Sequence, residues 1–223
     1  ITPAAIGGWR DAELARAIPE GATPDGGVLF PFMNYRGDAQ MCRQDLQALV
    51  SYLRTLPAIQ HQVPRTQLDF PVNLLVRTFP KPAAVSDTCP QRSDSVAYGK
   101  YLATLASCAD CHTRHENGAP VAGQDFAGGM RFPLPSGYVA HSANITPDPE
   151  TGIGRWTKAA FIARFAAYRR PEAIAAVAGA APNTPMPWQL FAGMTDDDLG
   201  SIYDYLRTQK PVKTARAEPL AAR

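Results

Sequence analysis

Two thiols and an imidazole lie within five residues of the chain, at Cys108, Cys111 and His112. Thiols three positions apart, followed at once by a histidine, suit the covalent attachment of a c-type haem. The two sulfurs can add to the vinyl groups of the porphyrin, and the turn between them brings the histidine nitrogen beneath the iron. The spacing therefore predicts a covalently bound haem c with His112 as an axial ligand of the metal.

Two other chemistries use cysteines at this spacing. A structural zinc site needs a second pair of ligands, but the remaining cysteines, Cys42 and Cys89, each stand alone in the sequence. A thioredoxin-like redox pair belongs in a βαβ unit, whereas the residues around the motif are rich in alanine and favour helix. The sequence therefore favours haem over zinc or a redox disulfide.

The opposite face of the iron needs another ligand, for which the candidates are Met186, Met194, Met130, His115 and His141. Met186 lies between two prolines, which stiffen the loop on both sides and can hold a thioether at a fixed reach. Met194 precedes a threonine and three aspartates, a helix start at which packing is the simpler interpretation. His115 is too close to His112 to reach the opposite face, and His141 is the alternative to Met186. A His/Met pair raises the reduction potential relative to two histidines, which suits an electron carrier.

Four further residues are candidates for hydrogen bonds to the haem propionates. Trp9 and Trp156 follow an Ile-Gly step that occurs twice in the chain, so their indole N–H groups are candidate donors. Packing in the core is the alternative for both tryptophans. Asn144 and Arg131 are weaker candidates, because asparagine in a proline-rich loop is commonly a turn residue.

An internal repeat sets the positions of these residues. Met33 corresponds to Met186 at an offset of 186 − 33 = 153 residues, and the correspondence continues without a gap to the next helix. The other matching pairs are Met41 and Met194, Asp45 and Asp198, Leu46 and Leu199, Tyr52 and Tyr205, Leu53 and Leu206, Arg54 and Arg207, and Thr55 and Thr208. The repeat predicts that residues 1–56 are the back half of a second module, whose front half is absent from this sequence.

Apolar spacing and capping residues predict a mainly helical protein with long loops. Helices are expected at 11–18, 44–56, from Ser93 or Ser95 to about 107, from Thr157 or Lys158 to 168, and 196–208, with another turn or two at 173–180. Few stretches resemble strands. Gly99 interrupts a helix at a cost of roughly 1 kcal/mol relative to alanine, which predicts a close crossing with the last helix.

Module boundaries follow from the repeat and from the distribution of prolines. We expect the back half of the first module at 1–56, a proline-rich connector at 57–92, the second module at 93–212 and a tail at 213–223. The apolar stretch 68–79 of the connector is expected to pack between the modules, with a partner-binding patch as the alternative. A disulfide between Cys42 and Cys89 would tie the connector to the first module, and two buried thiols are the alternative.

Composition limits the setting in which the chain works. The 223 residues are 45% hydrophobic with a formal net charge of +2, too small a charge to indicate nucleic acid or an acidic surface as partner. No apolar run reaches the roughly 18 residues that suggest a membrane span. Haem c is attached outside the bacterial inner membrane, so we expect a periplasmic protein from which a leader has been removed.

Several stretches together resemble the multihaem cytochrome c subunits of periplasmic dehydrogenases. They are Asn-Ile-Thr-Pro-Asp at 144–148, Thr-Gly-Ile-Gly-Arg-Trp at 151–156, Pro-Met-Pro-Trp at 185–188, Tyr-Leu-Arg at 205–207 and Leu-Asp-Phe-Pro-Val-Asn at 68–73. The resemblance covers nearly the whole chain and includes the subunits of alcohol, gluconate and aldehyde dehydrogenases. It implies an all-α protein of tandem class I cytochrome c modules, with iron ligated by His112 and Met186.

The resemblance also implies partners, namely a dehydrogenase catalytic subunit and an acceptor cytochrome or oxidase. The first copy departs from the family pattern, because Asn34 rather than proline follows Met33 and no attachment motif precedes it. We still expect a second haem there, ligated by Met33. The alternative function is a haem enzyme of the dihaem peroxidase or thiosulfate-oxidising type with an open iron site. The predicted ligand Met186 favours electron transfer.

Overall fold

The computed structural model describes residues 1–30, 33–64, 66–134, 139–170, 172 and 185–214. The chain divides into two compact units, Ile1–Cys89 and Pro90–Arg223. This division falls inside the predicted connector 57–92. The bounds expected for the modules, the connector and the tail stay predictions.

In the described part of the first unit the chain forms helices joined by loops. Their bounds are α1 Pro3–Ile6, α2 Asp11–Glu20, α3 Tyr35–Asp38, α4 Arg43–Thr55 and α5 Val72–Leu75. The α2 helix ends at Gly21, whose φ of +72° is a left-handed conformation that glycine adopts at little cost. The sequence placed the end at Ile18, but the helix continues through Pro19, because a proline in the last turn removes only one backbone hydrogen bond.

The α4 helix supplies the apolar face of the first unit. Leu46, Val50 and Leu53 are buried at the helical spacing of four and three residues, and α4 packs against α2. The predicted bounds 44–56 differ from the observed helix by one residue at each end. The periodicity of the apolar residues therefore located both the helix and its buried side.

A disulfide joins Cys42, the residue before α4, to Cys89 at the end of the unit, with 5.2 Å between the Cα atoms. Beside it the Arg43 amide donates to the Ser86 carbonyl at 2.8 Å. The predicted bridge is confirmed, and the alternative of two buried thiols is wrong. Its 47-residue separation corresponds to about 4 kcal/mol in the chain-entropy relation for the unfolded state.

Thiol labelling tests this bridge directly. We expect Cys42 and Cys89 to stay unlabelled when the protein is denatured without reductant, and both to react after reduction. The matched control is the Cys42→Ser variant, which frees Cys89 and should give one labelled cysteine without reductant. Labelling of both cysteines in the unreduced wild type would contradict the bridge. Peptide mapping by mass spectrometry identifies the labelled positions.

The apolar stretch 68–79 is mostly exposed, and its expected packing between the modules stays a prediction. It forms α5 and a 3-10 turn at Val76–Thr78, in which Val76 is buried. Phe70 is 78% exposed and Leu74 is 53% exposed. Two short helical turns present few positions to a core, so most of the apolar side chains of this stretch remain at the surface.

The described part of the second unit is a group of packed helices. Their bounds are α6 Ser95–Leu105, α7 Cys108–His112, α8 Lys158–Ala166, α9 Trp188–Ala192 and α10 Asp196–Arg207, with a 3-10 turn at Ala167–Arg169. The α10 helix packs against α6 and α8, and α8 packs against α9. The buried core cluster is Ala103, Phe126, Ile153, Phe161, Phe165, Leu199, Ile202 and Leu206. The predicted turn at 173–180 lies outside the described residues.

The helix starts differ partly from those expected. Neither Ser93 nor Ser95 caps α6, because the carboxylate of Asp94 takes that position and accepts a backbone N–H at 2.9 Å. The helix ends at Leu105 rather than at 107. The α8 helix begins at Lys158, one of the two predicted starts, and the Thr157 hydroxyl caps it by accepting a backbone N–H at 3.1 Å.

Gly99 lies where α6 crosses α10. A Cβ atom at this position would overlap the backbone carbonyl of Ser201 in α10, so only glycine permits this separation of the helices. The close crossing predicted from the isolated glycine is confirmed. This crossing fixes the position of α6 against α10. It therefore also fixes the place at which the attachment motif begins, shortly after α6.

Two short antiparallel ladders lie in the loops between α7 and α8. They pair β1 His115–Glu116 with β2 Ala119–Pro120, and β3 Arg131–Pro133 with β4 Val139–His141. The prediction of a mainly helical protein with long loops is confirmed. Across the described stretches, the chain forms no helix with the length and apolar character that crossing a membrane requires.

Candidate haem site

The attachment motif forms a helix of its own. Ser107 adopts a left-handed backbone with φ of +54°, which separates α6 from α7 and starts the motif at Cys108. Side chains three apart on a helix share a face, so Cys108 and Cys111 lie one turn apart on the same side. Cys108 packs partly buried against the core cluster, whereas Cys111 is exposed.

His112 is held by a single backbone acceptor. Its Nδ1 lies 2.7 Å from the carbonyl oxygen of Ala143, which requires the proton on Nδ1 and leaves the Nε2 lone pair for a metal. Burial lowers the pKa of His112 despite the opposing effect of this hydrogen bond. The imidazole is thus neutral at neutral pH, as an iron ligand must be.

Gly128 supports the same histidine from the other side of the loop. Its amide donates to the His112 carbonyl at 2.7 Å, with a φ of +73°. A Cβ atom there would lie 2.5 Å from the backbone of Ala143. Gly128 therefore allows its own loop to approach the backbone of Ala143, and both segments bond to His112. The sequence reasoning missed Gly128 and Ala143, although two adjacent glycines at 128 and 129 were a signal.

Met186 packs against the same core cluster as Cys108. The amide of Trp188 donates to the Met186 carbonyl at 2.8 Å. The Trp188 ring is parallel to Tyr168 with 5.1 Å between centroids, and the Arg164 guanidinium lies 4.8 Å from it. The Trp188 ring is thus held against α8 and the 3-10 turn that follows it. This packing restrains the loop that carries the Met186 thioether.

The remaining ligand candidates lie at different places in the structure. Met194 packs against the core cluster, as its position before α10 suggested. His115 is in β1 with its Nδ1 bonded to the Thr113 carbonyl at 2.9 Å, and His141 is half-buried in β4, where it pairs with exposed Arg131. In the first unit, Met33 is 37% exposed, and its expected role as a haem ligand stays a prediction.

Neither tryptophan candidate has a side chain buried in its unit. Trp156 is 40% exposed and lines a shallow open groove with Arg155 and Arg164, while its carbonyl accepts from the Tyr203 hydroxyl at 2.7 Å. In the first unit, Trp9 is half-buried. Their proposed bonds to propionates stay predictions.

Asn144 is buried and bonded to protein groups. Its Nδ2 donates to the Val212 carbonyl at 2.7 Å and to Thr151 Oγ1 at 2.9 Å, and its Oδ1 accepts from the Thr146 hydroxyl at 2.7 Å. Thr146 itself is fully buried. Asn144 therefore ties the loop after β4 to the segment that follows α10.

The donor set fits haem better than the two alternatives. Burial raises the pKa of the Cys108 thiol to about 12 and raises that of Cys111, whereas a reactive redox pair has a lowered thiol pKa. Among the residues that the structure describes, the one close group of three metal-ligating side chains is Cys42, Asp45 and Cys89, whose sulfurs are bonded to each other. No zinc cluster forms at the motif in these stretches.

Two thiols on a short helix, a neutral histidine with one free nitrogen and a methionine at the same core define a c-type haem protein. Comparison with known proteins agrees, because residues 96–210 match the family described as cytochrome c. This match covers more than half of the 223 residues, and the chain belongs to the cytochrome c family. The cofactor of that family is covalently bound haem c.

Individual relatives are subunits of larger assemblies or dihaem proteins. The chain is 35% identical over 54% of its length to the alcohol dehydrogenase (quinone) cytochrome c subunit of Gluconobacter oxydans, covering 23% of that subunit. It is 29% identical over 93% of its length to the subunit of that name from Gluconacetobacter polyoxogenes, covering 46%. A dihaem cytochrome c-type protein of Cereibacter sphaeroides is 31% identical over 64% of the chain, covering 49%. The chain spans less than half the length of each.

Proposed function

We propose that this protein is a periplasmic electron-transfer subunit that passes single electrons from a dehydrogenase to a downstream cytochrome or oxidase. One observation carries the proposal: Met186 and Cys108 pack against one core cluster, while His112 beside Cys108 keeps a free nitrogen. A methionine and a histidine together fill both axial positions of an iron, which leaves no position for a substrate. Relatives that are cytochrome c subunits of dehydrogenases support the same function.

Each residue has a separate role in this proposal. Cys108 and Cys111 would hold the haem through thioether bonds, and His112 and Met186 would be the ligands of its iron. When bound, the haem supplies the one-electron chemistry, and the chain supplies ligands, burial and orientation. The Ala143 carbonyl orients His112, and packing of the Trp188 ring steadies the Met186 loop. His141 is the alternative axial ligand.

Export to the periplasm is supported by the disulfide. Bridges such as Cys42–Cys89 persist in oxidising compartments, and haem c is attached in such a compartment. The peroxidase or thiosulfate-oxidising alternative needs an open iron, and no observation in the described residues favours it.

We further propose that the protein works as a dihaem cytochrome with tandem class I modules. The repeat places Met33 in the first copy where Met186 lies in the second, so Met33 is the proposed ligand of the other haem. Residues 1–56 would be the back half of that module, 57–92 the connector, 93–212 the second module and 213–223 a tail. Trp9 and Trp156 are proposed donors to the propionates of the two haems. The dihaem relative supports this count.

Absorption spectra of the ferric protein test the ligand pair. We expect a low-spin spectrum with a weak sulfur-to-iron charge-transfer band near the red end of the visible range, because a thioether ligand produces this transition. A high-spin ferric spectrum would favour an open iron and therefore the enzymatic alternative.

Intact mass spectrometry of the native gene product tests the haem count. We expect two covalent haems per chain, one at Cys108 and Cys111 and one in the first module. The matched control is a Cys108→Ala, Cys111→Ala variant, which should lose one haem and keep the other. A native product with a single haem would make the first copy a structural remnant, and Met33 would then have no ligand role.

A further inference from the structure

We propose that the segment 212–214, which follows α10, fixes the orientation of the axial histidine through the loop backbone. Thr214 is then a positioning residue for His112, since it acts through other groups and does not itself touch the metal. The inference rests on the proposed function, because it requires His112 to ligate the iron. It assigns a role to a segment that lies after the last helix that the structure describes.

One contact links Thr214 to the backbone behind His112. The Thr214 hydroxyl donates to the Ala127 carbonyl at 3.2 Å. The next residue, Gly128, donates its amide to the His112 carbonyl at 2.7 Å. The peptide between Ala127 and Gly128 is planar, so fixing its carbonyl also fixes the N–H that bonds to His112.

A second contact links the segment to the carbonyl in front of His112. The Asn144 side-chain amide donates to the Val212 carbonyl at 2.7 Å, and its nitrogen lies 3.2 Å from the Thr214 hydroxyl oxygen. The preceding residue, Ala143, supplies the carbonyl that lies 2.7 Å from His112 Nδ1. Both backbone groups bonded to His112 are therefore one residue away from a group that the segment holds.

The network between these contacts is partly buried and is centred on two buried side chains, Asn144 and Thr146. Asn144 is 9% exposed and Thr146 is fully buried. The Val212 amide donates to Thr146 Oγ1 at 3.2 Å, and the Thr214 amide donates to Thr151 Oγ1 at 3.2 Å. Buried hydrogen bonds are costly to leave unmade, so this network holds the loop in one geometry.

Orientation of the histidine affects the electronics of the iron. A hydrogen bond from the far ring nitrogen to a carbonyl makes the ligating nitrogen a stronger donor, which favours ferric iron and lowers the reduction potential. If the Ala143 carbonyl becomes less well placed, this effect weakens. Loss of the Thr214 hydroxyl should therefore raise the potential without changing the ligands.

The test compares Thr214 variants in the haem-loaded protein. Thr214→Val has nearly the same shape without the hydroxyl, Thr214→Ser keeps the hydroxyl, and Thr208→Val is the matched control. The control also loses a hydroxyl that donates to a backbone carbonyl, at 2.7 Å to Tyr205, but at an exposed site. Redox titration gives the midpoint potential, absorption spectra report the ligands, and denaturant unfolding reports stability.

For Thr214→Val we expect a roughly threefold shift of the redox equilibrium towards the ferrous form, about 28 mV upward by the 59 mV-per-decade relation for one electron. Thr214→Ser should restore the wild-type potential, and Thr208→Val should leave it unchanged. If Thr214→Val fails to fold, Thr214→Ala removes the same hydroxyl and should show the same shift.

Two outcomes separate this inference from the proposed function. A wild-type protein without a low-spin His/Met spectrum would overturn the proposed function and this inference with it. A normal wild-type spectrum, with Thr214→Val and Thr208→Val at the same potential, would overturn the inference alone. Equal shifts in Thr214→Val and Thr214→Ser would also overturn it, because the hydroxyl would not be the cause.

Discussion

Replacing Met186 with alanine should remove the sulfur-to-iron band from the ferric spectrum and lower the midpoint potential. The thioether stabilises ferrous iron relative to a nitrogen or oxygen donor. We expect a drop of roughly 0.1–0.3 V, a fraction of the range of about 0.8 V over which axial ligands set haem potentials. The haem should stay attached, because its thioether bonds to Cys108 and Cys111 do not involve Met186. Visible absorption spectra and redox titration measure the two effects.

Met194→Ala is the matched control for this variant. Met194 packs partly buried against the same core cluster and loses the same number of atoms on truncation. It should cost stability through the cavity that it leaves, yet retain the band and the potential. If the band survives in Met186→Ala and disappears in His141→Ala, the axial ligand is His141 and the assignment of Met186 is wrong.

Residue types and spacing predicted haem c, which is the cofactor of the family to which the chain belongs. A thiol pair followed by histidine has few physical uses, so the sequence alone made Cys108, Cys111 and His112 the candidates for holding the haem. Apolar periodicity located α4 to within a residue, because a buried helical face requires that periodicity. The N-cap and the acidic first turn located α10 equally well. Gly99 was informative for a different reason, since its cost in a helix interior implies a compensating contact.

Backbone groups were the part of the site that the sequence could not indicate. The Ala143 carbonyl holds His112, but every residue has a carbonyl, so nothing in the identity of an alanine points to this role. Asn144 has a side-chain amide that suits a polar contact, and this could be read from the sequence. Its actual partner Val212 is 68 residues away, and only the fold determines that proximity. Backbone position and long-range pairing therefore required the structure.

The exposure of the stretch 68–79 has a related cause. Hydrophobicity indicated that these side chains favour burial, but it did not identify what would cover them. In the structure Phe70 and Leu74 remain exposed, because α5 and the 3-10 turn direct few side chains inward. The composition of a segment thus predicts a tendency, whereas its local geometry decides which side chains are buried.

Replacing Gly99 with alanine should destabilise the second unit strongly. The new methyl group would overlap the Ser201 carbonyl, and backbone atoms cannot move aside as a flexible side chain can. Separating α6 from α10 would loosen the core around Leu199 and Leu206, so we expect a loss of roughly 1–3 kcal/mol in the free energy of unfolding. Denaturant unfolding of the haem-loaded protein measures this loss.

Gly200→Ala in α10 is the matched control, because it adds the same methyl group to the residue that precedes Ser201. The nearest atoms to that methyl would be side-chain carbons of Lys158 at 3.4 Å and Ile162 at 3.8 Å, which are ordinary contacts. Without a clash, alanine in a helix interior is favoured over glycine by about 0.5–1 kcal/mol, so this variant should be more stable than wild type. The two substitutions thus have opposite expected signs although both exchange glycine for alanine in the same helix pair. Equal effects on unfolding would show that the crossing at Gly99 does not limit the approach of α6 to α10.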